Sequence, residues 1–408
     1  MTAEAEHAES PRRWRTLVLL SVAELFGMSL WFSAAAAVPA LRSEWLLKDS
    51  HVSWLTIAVQ LGFVAGTLLS AFLNLPDILN TRYLFALSAF AGAVANGVLG
   101  AYAHDVNTAI ILRFLTGMCL AGVYPPGMKI LATWFYRSRG LALGVLVGAL
   151  TLGKASPYLI NAIGSSNWRQ NILFVSLLAL LGGLMVLVFV DDGPFTAAPA
   201  RFRWNQALDV FRNRGVRLAS FGYFGHMWEL YATWAWIPVM IRASMLMRET
   251  AAMPAEVASF LVIGCGAIGC VAGGLLADKI GRTIVTSTAM AISGTCCLVV
   301  GFLFGGNPVL LLIVAAIWGA SVIADSAQFS ACITELGDRQ YLGTALTMQT
   351  CLGFLLTSVS IELVPRVQQV AGWRYAFAIL APGPFLGAWA MLRLRSSPEA
   401  TRIAHGRR

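Results

Sequence analysis

Twelve apolar stretches alternate with short polar gaps along the chain, at 16–40, 52–74, 82–102, 107–132, 138–161, 170–190, 217–241, 254–277, 283–305, 309–333, 342–364 and 373–393. A bilayer core of ~30 Å takes about 20 apolar residues per helix, and nearly every stretch meets that length. In hydrocarbon each backbone N–H and C=O must be satisfied within its own segment, so long uninterrupted runs of this kind are helices. The pattern therefore predicts an all-α membrane protein with twelve transmembrane helices. The fourth and tenth are expected to continue as helix beyond the lipid.

One gap is long. Residues 191–216 open on Asp191-Asp192-Gly193-Pro194, a helix stop. Trp204, Ala207, Leu208 and Phe211 then recur at helical spacing with Arg201, Arg203, Arg212 and Arg214 around them. That spacing predicts a short basic amphipathic helix at a lipid surface; the alternative is a solvated linker. The gap divides the chain into an N-tail (1–15), a first six-helix bundle (16–190), the linker (191–216), a second six-helix bundle (217–393) and a C-tail (394–408). The halves echo one another. Arg137-Ser138-Arg139-Gly140-Leu141 opens the fifth stretch and Asp338-Arg339-Gln340-Tyr341-Leu342-Gly343 the eleventh, while Asn167-Trp168-Arg169 and Gly372-Trp373-Arg374 precede the sixth and twelfth. Two pseudo-symmetric bundles with a site between them near the midplane are the usual construction of secondary transporters.

Charge sets the orientation. Of the 29 Lys and Arg residues, 19 fall in the tails and the gaps on one side. Arg42, Lys48, Arg169, Arg242, Arg248, Arg366 and Arg374 fall on the other, and Arg113, Lys129 and Lys154 lie within spans. By the positive-inside rule both termini are expected in the cytoplasm, in the inner membrane of the cell. Composition agrees: the chain is 58% hydrophobic and 12% charged, against roughly 25% charged in soluble domains. The net charge of +9 is accounted for by cytoplasmic loops, and nucleic acid is not an expected partner. All seven cysteines sit in apolar stretches and read as small buried hydrophobes. The polar segment Met1–Arg15 runs into the first span without a small-residue cleavage site, so no removable signal peptide is expected. No phosphate-binding Gly-x-x-x-x-Gly-Lys-Ser/Thr loop, paired catalytic carboxylates or metal-spaced histidines are visible, which disfavours ATP use and enzymatic chemistry. No cofactor is expected.

The gap between the eighth and ninth spans reads Gly273-Gly274-Leu275-Leu276-Ala277-Asp278-Lys279-Ile280-Gly281-Arg282. Gly274 lets two helices approach closely, and Asp278 and Arg282 can pair across a mouth that opens and closes. This run resembles the cytoplasmic loop signature of the major facilitator superfamily. The matching place in the first half departs from it: Asn74 stands where Asp is expected, and Pro76-Asp77 and Arg82 follow, so Asp77 is the candidate substitute there. Arg113-Phe114-Leu115-Thr116-Gly117 resembles the superfamily's fourth-helix motif, whose arginine is linked to proton transfer. Arg113 either serves the cavity or snorkels to the headgroups. Glycines 140, 144 and 148, 62 and 66, and 269 and 273 form four-residue stripes suited to close helix packing. The Gly-Pro motif of drug–proton antiporters is missing, since Lys154 follows Gly153.

Ionisable residues deep in lipid are functional candidates by default. They are Glu24, Arg113, Lys154, His226, Glu229 and Asp325. The resemblance implies that spans one, four, seven and ten line the cavity, and five of the six fall on those spans. His226 and Glu229, three apart, share a helix face and suit proton uptake, or else form a structural pair. Asp325 with Gln328 makes a second polar face. The expected function is a monomeric secondary transporter of a small solute, proton-coupled, with a leaning to organic or inorganic anions from Lys154 and Arg113. The chain is distantly similar to the nitrate/nitrite and cyanate branch, but lacks the arginines that nitrate carriers of that branch place in spans two and eight. Multidrug or metabolite export is the alternative, and a non-transporting membrane sensor on the same fold is an alternative of another class.

Overall fold

The computed structural model describes residues 11–135, 138–164, 167–195, 206–247, 253–338 and 341–407, without the side chains of Pro76, Asp77, Arg139 and His405. The described residues form helices and connecting turns, with no strand among them. We number the long helical segments α1 (Arg12–Met28), α2 (Asp49–Phe72), α3 (Thr81–Tyr102), α4 (Val106–Ala132), α5 (Arg139–Ile163), α6 (Trp168–Phe189), α7 (Arg214–Leu246), α8 (Ala255–Ile280), α9 (Arg282–Leu303), α10 (Pro308–Leu336), α11 (Leu342–Ala371) and α12 (Trp373–Arg395). Ten of the described helices are long and apolar enough to cross a membrane. The other two long segments are α1, which stops after 17 residues, and α7, whose 33 residues mix Gly, His, Glu, Tyr and Trp into the apolar run.

Helix starts follow local chemistry. Asn80, Asp105, Asn167, Asn213 and Asn307 each accept a hydrogen bond from a backbone N–H of the first turn of α3, α4, α6, α7 and α10, which satisfies donors that have no intrahelical partner. Four segments are interrupted. α1 ends at Met28, and a turn through Trp31 leads into the short helices Ser33–Ala36 and Val38–Trp45. α4 breaks at Ala121–Val123, ahead of Pro125-Pro126. α10 breaks at Asp325, and α12 breaks ahead of Pro382. Interrupted helices free backbone groups at depth, which is tolerated where they are buried in protein or line a cavity.

Packing falls into two sets. Within 12–189, α2 packs on α4, α3 on α6 and α4, and α1 on α5 and α6; within 214–395, α8 packs on α10, α7 on α11 and α12, and α9 on α10 and α12. Two seams join the sets, α5 with α8 and α2 with α11. Glycines bring the first pair of each set to backbone contact: a Cβ on Gly62 would lie 2.0 Å from the Phe114 carbonyl oxygen, and one on Gly269 1.9 Å from that of Ala320. Gly144 and Gly274 do the same across the α5–α8 seam, where an added Cβ would meet the Cys270 oxygen at 2.7 Å and the Gly140 oxygen at 2.5 Å. The α2–α11 seam instead closes on Phe63 against Phe354, ring centroids 4.5 Å apart. Gly274→Val is thus expected to wedge this seam apart and remove folded protein from the membrane fraction, while the nearby exposed Leu275→Ala leaves yield unchanged; equal yields would count against the close approach.

The linker differs from the expected helix. Its described part contains only the 3₁₀ turn Asp209–Arg212, and Trp204 lies outside the described residues, as do Arg137, Arg339 and Gln340 of the repeated motif. At the face opposite the two chain termini, Glu44 accepts from Trp168 Nε1 at 2.6 Å and from Arg169 Nη2 at 3.0 Å. The Trp168 bond and then the Arg169 guanidinium hold its carboxyl below the usual carboxylate range. The sign follows: this stabilisation is present above the ordinary carboxylate pKa and is lost as pH falls through the lowered value. Glu44→Gln is expected to cost a small amount of thermal stability at neutral pH, and the gap to wild type should close on acidification. A gap that widens in acid would contradict it.

Candidate functional site

Lys154, midway along α5, is buried and lies in the seam between the two sets of helices. Its Nζ donates to the Tyr231 hydroxyl at 2.5 Å and sits 4.1, 4.6 and 5.4 Å from the ring centroids of Trp31, Tyr231 and Trp234. The α1 break delivers Trp31, and α7 delivers Tyr231 and Trp234 three residues apart on one face. Phe63 and Phe354 complete the box: Trp31 lies 5.3 Å from Phe63 and 5.7 Å from Phe354, and Tyr231 5.2 Å from Phe354. An ammonium over aromatic faces is attracted to the ring quadrupoles. No carboxylate oxygen lies within 4 Å of Nζ among the described residues. Glu24, fully buried on α1, is close enough to Lys154 for their charges to interact. Its carboxylate lies against Gly127, where a Cβ would come within 2.8 Å of Oε2, and it has no hydrogen-bond partner among the described residues.

Arg113 is buried, not snorkelled. Its guanidinium donates to the Trp31 carbonyl, to Ser33 Oγ at 3.1 Å and to Asn96 Oδ1 at 3.0 Å. Asn96 in turn donates to Ser176 Oγ at 2.9 Å. Arg113 thus braces the break after α1 from α4, using neutral acceptors, and so fixes the ring that covers Lys154. Asn96, Ser33 and Ser176 were not singled out from the sequence; an asparagine in the apolar run of α3 was the available signal.

The His226 and Glu229 pair expected from helical spacing does not form. His226 Nδ1 lies 2.9 Å from Asp325 Oδ1, with both side chains 1% exposed. Glu229 accepts from Trp318 Nε1 at 2.5 Å, Ser293 Oγ at 2.9 Å and Cys297 Sγ at 3.1 Å. Positions three apart on a helix are offset by about 60°, enough for one side chain to meet the break in α10 and the other the gap between α9 and α10. Asp325 and Gln328 likewise part company: Gln328 Oε1 accepts from Arg282 Nη1 at 2.7 Å.

At the face holding the two termini, Asp278 and Arg282 do not pair with one another as expected. Gly281, at φ +100°, turns the chain between them. Asp278 lies over the first turn of α5, where a Cβ on Gly140 would be 2.5 Å from both carboxylate oxygens; a helix N-terminus favours that negative charge. Arg282 makes a two-pronged bond to Glu335, at 2.7 and 3.0 Å. The C-terminal segment Pro398–Gly406 packs beside it. Ala404 N–H donates to Glu335 Oε2 at 3.0 Å, and Arg407 donates to the Asp278 carbonyl. In the first half Arg82 donates to the Val190 carbonyl at 2.7 Å and pairs with Asp191 at 3.2 Å. The side chain of Asp77 lies outside those described.

The chain is 24% identical over 318 residues to a probable nitrate/nitrite antiporter of Thermus thermophilus, covering 69% of this chain and 70% of that one. It is 25% identical over 341 residues to a gallate transporter of Pseudomonas putida, 74% of each chain. It is 30% identical over 186 residues to a puromycin resistance protein of Streptomyces alboniger, 42% of this chain and 35% of that one. The matches take in between 35% and 74% of the relatives' own lengths. A sequence model of the Major Facilitator Superfamily matches residues 19–361, the glycine-zipped helices, the buried charges and the Gly273–Arg282 loop included, and the chain belongs to that superfamily.

Proposed function

We propose that this protein is a proton-coupled secondary transporter of a small anion. It works as a monomer in the inner cell membrane, with twelve spans in two six-helix bundles and both termini cytoplasmic. The observation that carries the anion reading is Lys154. A buried ammonium at the seam between the bundles, held by a hydroxyl and ring faces, can exchange those partners for an anionic solute. The relatives named for nitrate/nitrite and for gallate are consistent with an anionic cargo. Proton coupling is assigned to His226 and Asp325, faced by Tyr223 and Glu229 from α7 and by Cys270 from α8. The pair joins two helices that must move relative to one another. Arg113 is assigned a bracing role, and Glu24 the second charge at the Lys154 site.

Closure at the cytoplasmic face is assigned to Gly274, Asp278, Gly281 and Arg282 with Glu335, and Arg82 to the corresponding clasp of the first half. Arg282 and Glu335 are largely buried, at 11% and 27% exposure, so their contact favours the closed face and must break for it to open. Asp278→Asn is expected to slow turnover several-fold with little change in substrate affinity; equal losses in both would count against gating. The relative named for puromycin resistance favours export as a second reading. Proteoliposomes loaded with a labelled carboxylate decide between them. Uptake driven by an inward proton gradient supports import, extrusion driven by the same gradient supports export, and no anion flux in either direction removes the proposal.

A further inference from the structure

We propose that the anion is a planar aromatic monocarboxylate, bound with its carboxylate on Lys154 and its ring between the aromatic side chains of the seam. This deepens the anion reading above and rests on it. Three rings, Trp31, Tyr231 and Trp234, face one ammonium, and Phe63 and Phe354 pack against them; Trp31 and Phe63 come from the first bundle, and Tyr231, Trp234 and Phe354 from the second. Their centroid separations, 4.5 to 5.7 Å, fall in the range of offset-stacked and edge-to-face pairs. Alternating access parts the bundles, so these ring–ring contacts must open on one side or the other. A flat aromatic ligand entering the seam replaces them with contacts of the same kind, and an aliphatic or inorganic ion does not.

The polar groups at the box match the other end of such a ligand. Trp31 Nε1, Trp234 Nε1 and Gln60 Nε2 are buried donors without a hydrogen-bond partner among the described residues, and Gln60 Oε1, one turn along α2 from Phe63, is a buried acceptor without one. Buried polar groups are ordinarily satisfied, and a carboxylate or a ring substituent offers these donors acceptors. One ammonium, with the opposite charge of Glu24 close by, suits one carboxylate and disfavours a polyanion. A water-sized space lined by Thr56, Tyr158, Trp236 and Pro238 lies about one turn from Gln60, Lys154 and Trp234 along their own helices.

Binding to the purified full-length protein, measured by calorimetry with benzoate, cyclohexanecarboxylate, benzamide and nitrate, tests this. Benzoate should bind ~10-fold more tightly than cyclohexanecarboxylate, and benzamide and nitrate should bind more weakly still. Trp31→Leu and, independently, Phe354→Leu should bring the benzoate and cyclohexanecarboxylate affinities together while both ligands still depend on Lys154. Equal affinity for the two carboxylates in the wild type, or an aromatic preference that survives both substitutions, would overturn the aromatic assignment and leave the anion reading standing. Nitrate binding without benzoate binding has the same meaning. Benzamide binding as well as benzoate, or no binding of any of the four to protein that melts cooperatively, would overturn the anion reading itself.

Discussion

Replacing Lys154 with glutamine is expected to abolish anion transport and to weaken anion binding at least ~10²-fold. Leaving one partner of a buried charge pair alone costs ~3–5 kcal/mol, and ~3 kcal/mol is already about two powers of ten in affinity. The fold should survive the change. A buried ammonium is costly to desolvate, and among the described residues Lys154 is offset by the Tyr231 hydroxyl, the ring faces and the charge of Glu24. A neutral side chain of similar length removes that cost but leaves the buried Glu24 without its neighbouring charge, so some loss of thermal stability without substrate is expected, recovered when Glu24→Gln is added. Lys154→Arg keeps the charge but brings a planar fork into a filled box, and partial activity is expected from it. Counterflow of a labelled carboxylate in proteoliposomes, beside a melting curve of the same preparation, provides the check. Wild-type flux in Lys154→Gln would make the lysine a packing residue.

The second large effect is expected at His226 and Asp325. His226→Ala and Asp325→Asn should each abolish accumulation driven by a pH gradient and leave exchange at equal pH within a few-fold of wild type. The reasoning is linkage: a proton can drive a conformational change only through a group whose surroundings differ between the two states. The pair spans α7 and the break in α10, which places it across a joint. Glu229 is held by three donors from α9 and α10; a glutamine in its place can accept from Trp318 and Cys297 through Oε1 and donate its amide to Ser293 Oγ. Glu229→Gln is therefore expected to retain gradient-driven uptake. Persistence of accumulation in both His226→Ala and Asp325→Asn would move the coupling site elsewhere, with Glu24 the next candidate.

Much of this was legible in residue order alone, for physical reasons. Lipid imposes an apolar length on every spanning segment, so the ten helices long and apolar enough to cross a membrane and their approximate bounds could be read before any fold was known. Small residues four apart announced close helix approaches, since the lack of a side chain is a local property that any partner can use. The six buried charges were found because ionisable groups are costly at depth and stand out in an apolar run. The linker was less legible: the periodicity around Ala207 and Leu208 pointed to a helix where the described part holds a 3₁₀ turn.

What residue order could not supply was partnership. His226 and Glu229 share a helix face, and Asp278 and Arg282 share a motif, yet each of the four meets a residue far away in the chain. Spacing along a helix tells which side chains are near one another on that helix, and it carries no information about what a neighbouring helix presents to them. The breaks after Met28 and at Asp325 decide where Trp31 and Asp325 point. Composition alone therefore determined that this chain is an all-helical membrane protein with charges worth explaining. Only tertiary packing decided the rest: α5 against α8 and α2 against α11 put Lys154 among aromatic rings, α7 against α10 put Asp325 opposite His226, and the C-terminal segment against α10 put Ala404 on Glu335, because those contacts depend on close approach between segments distant in sequence.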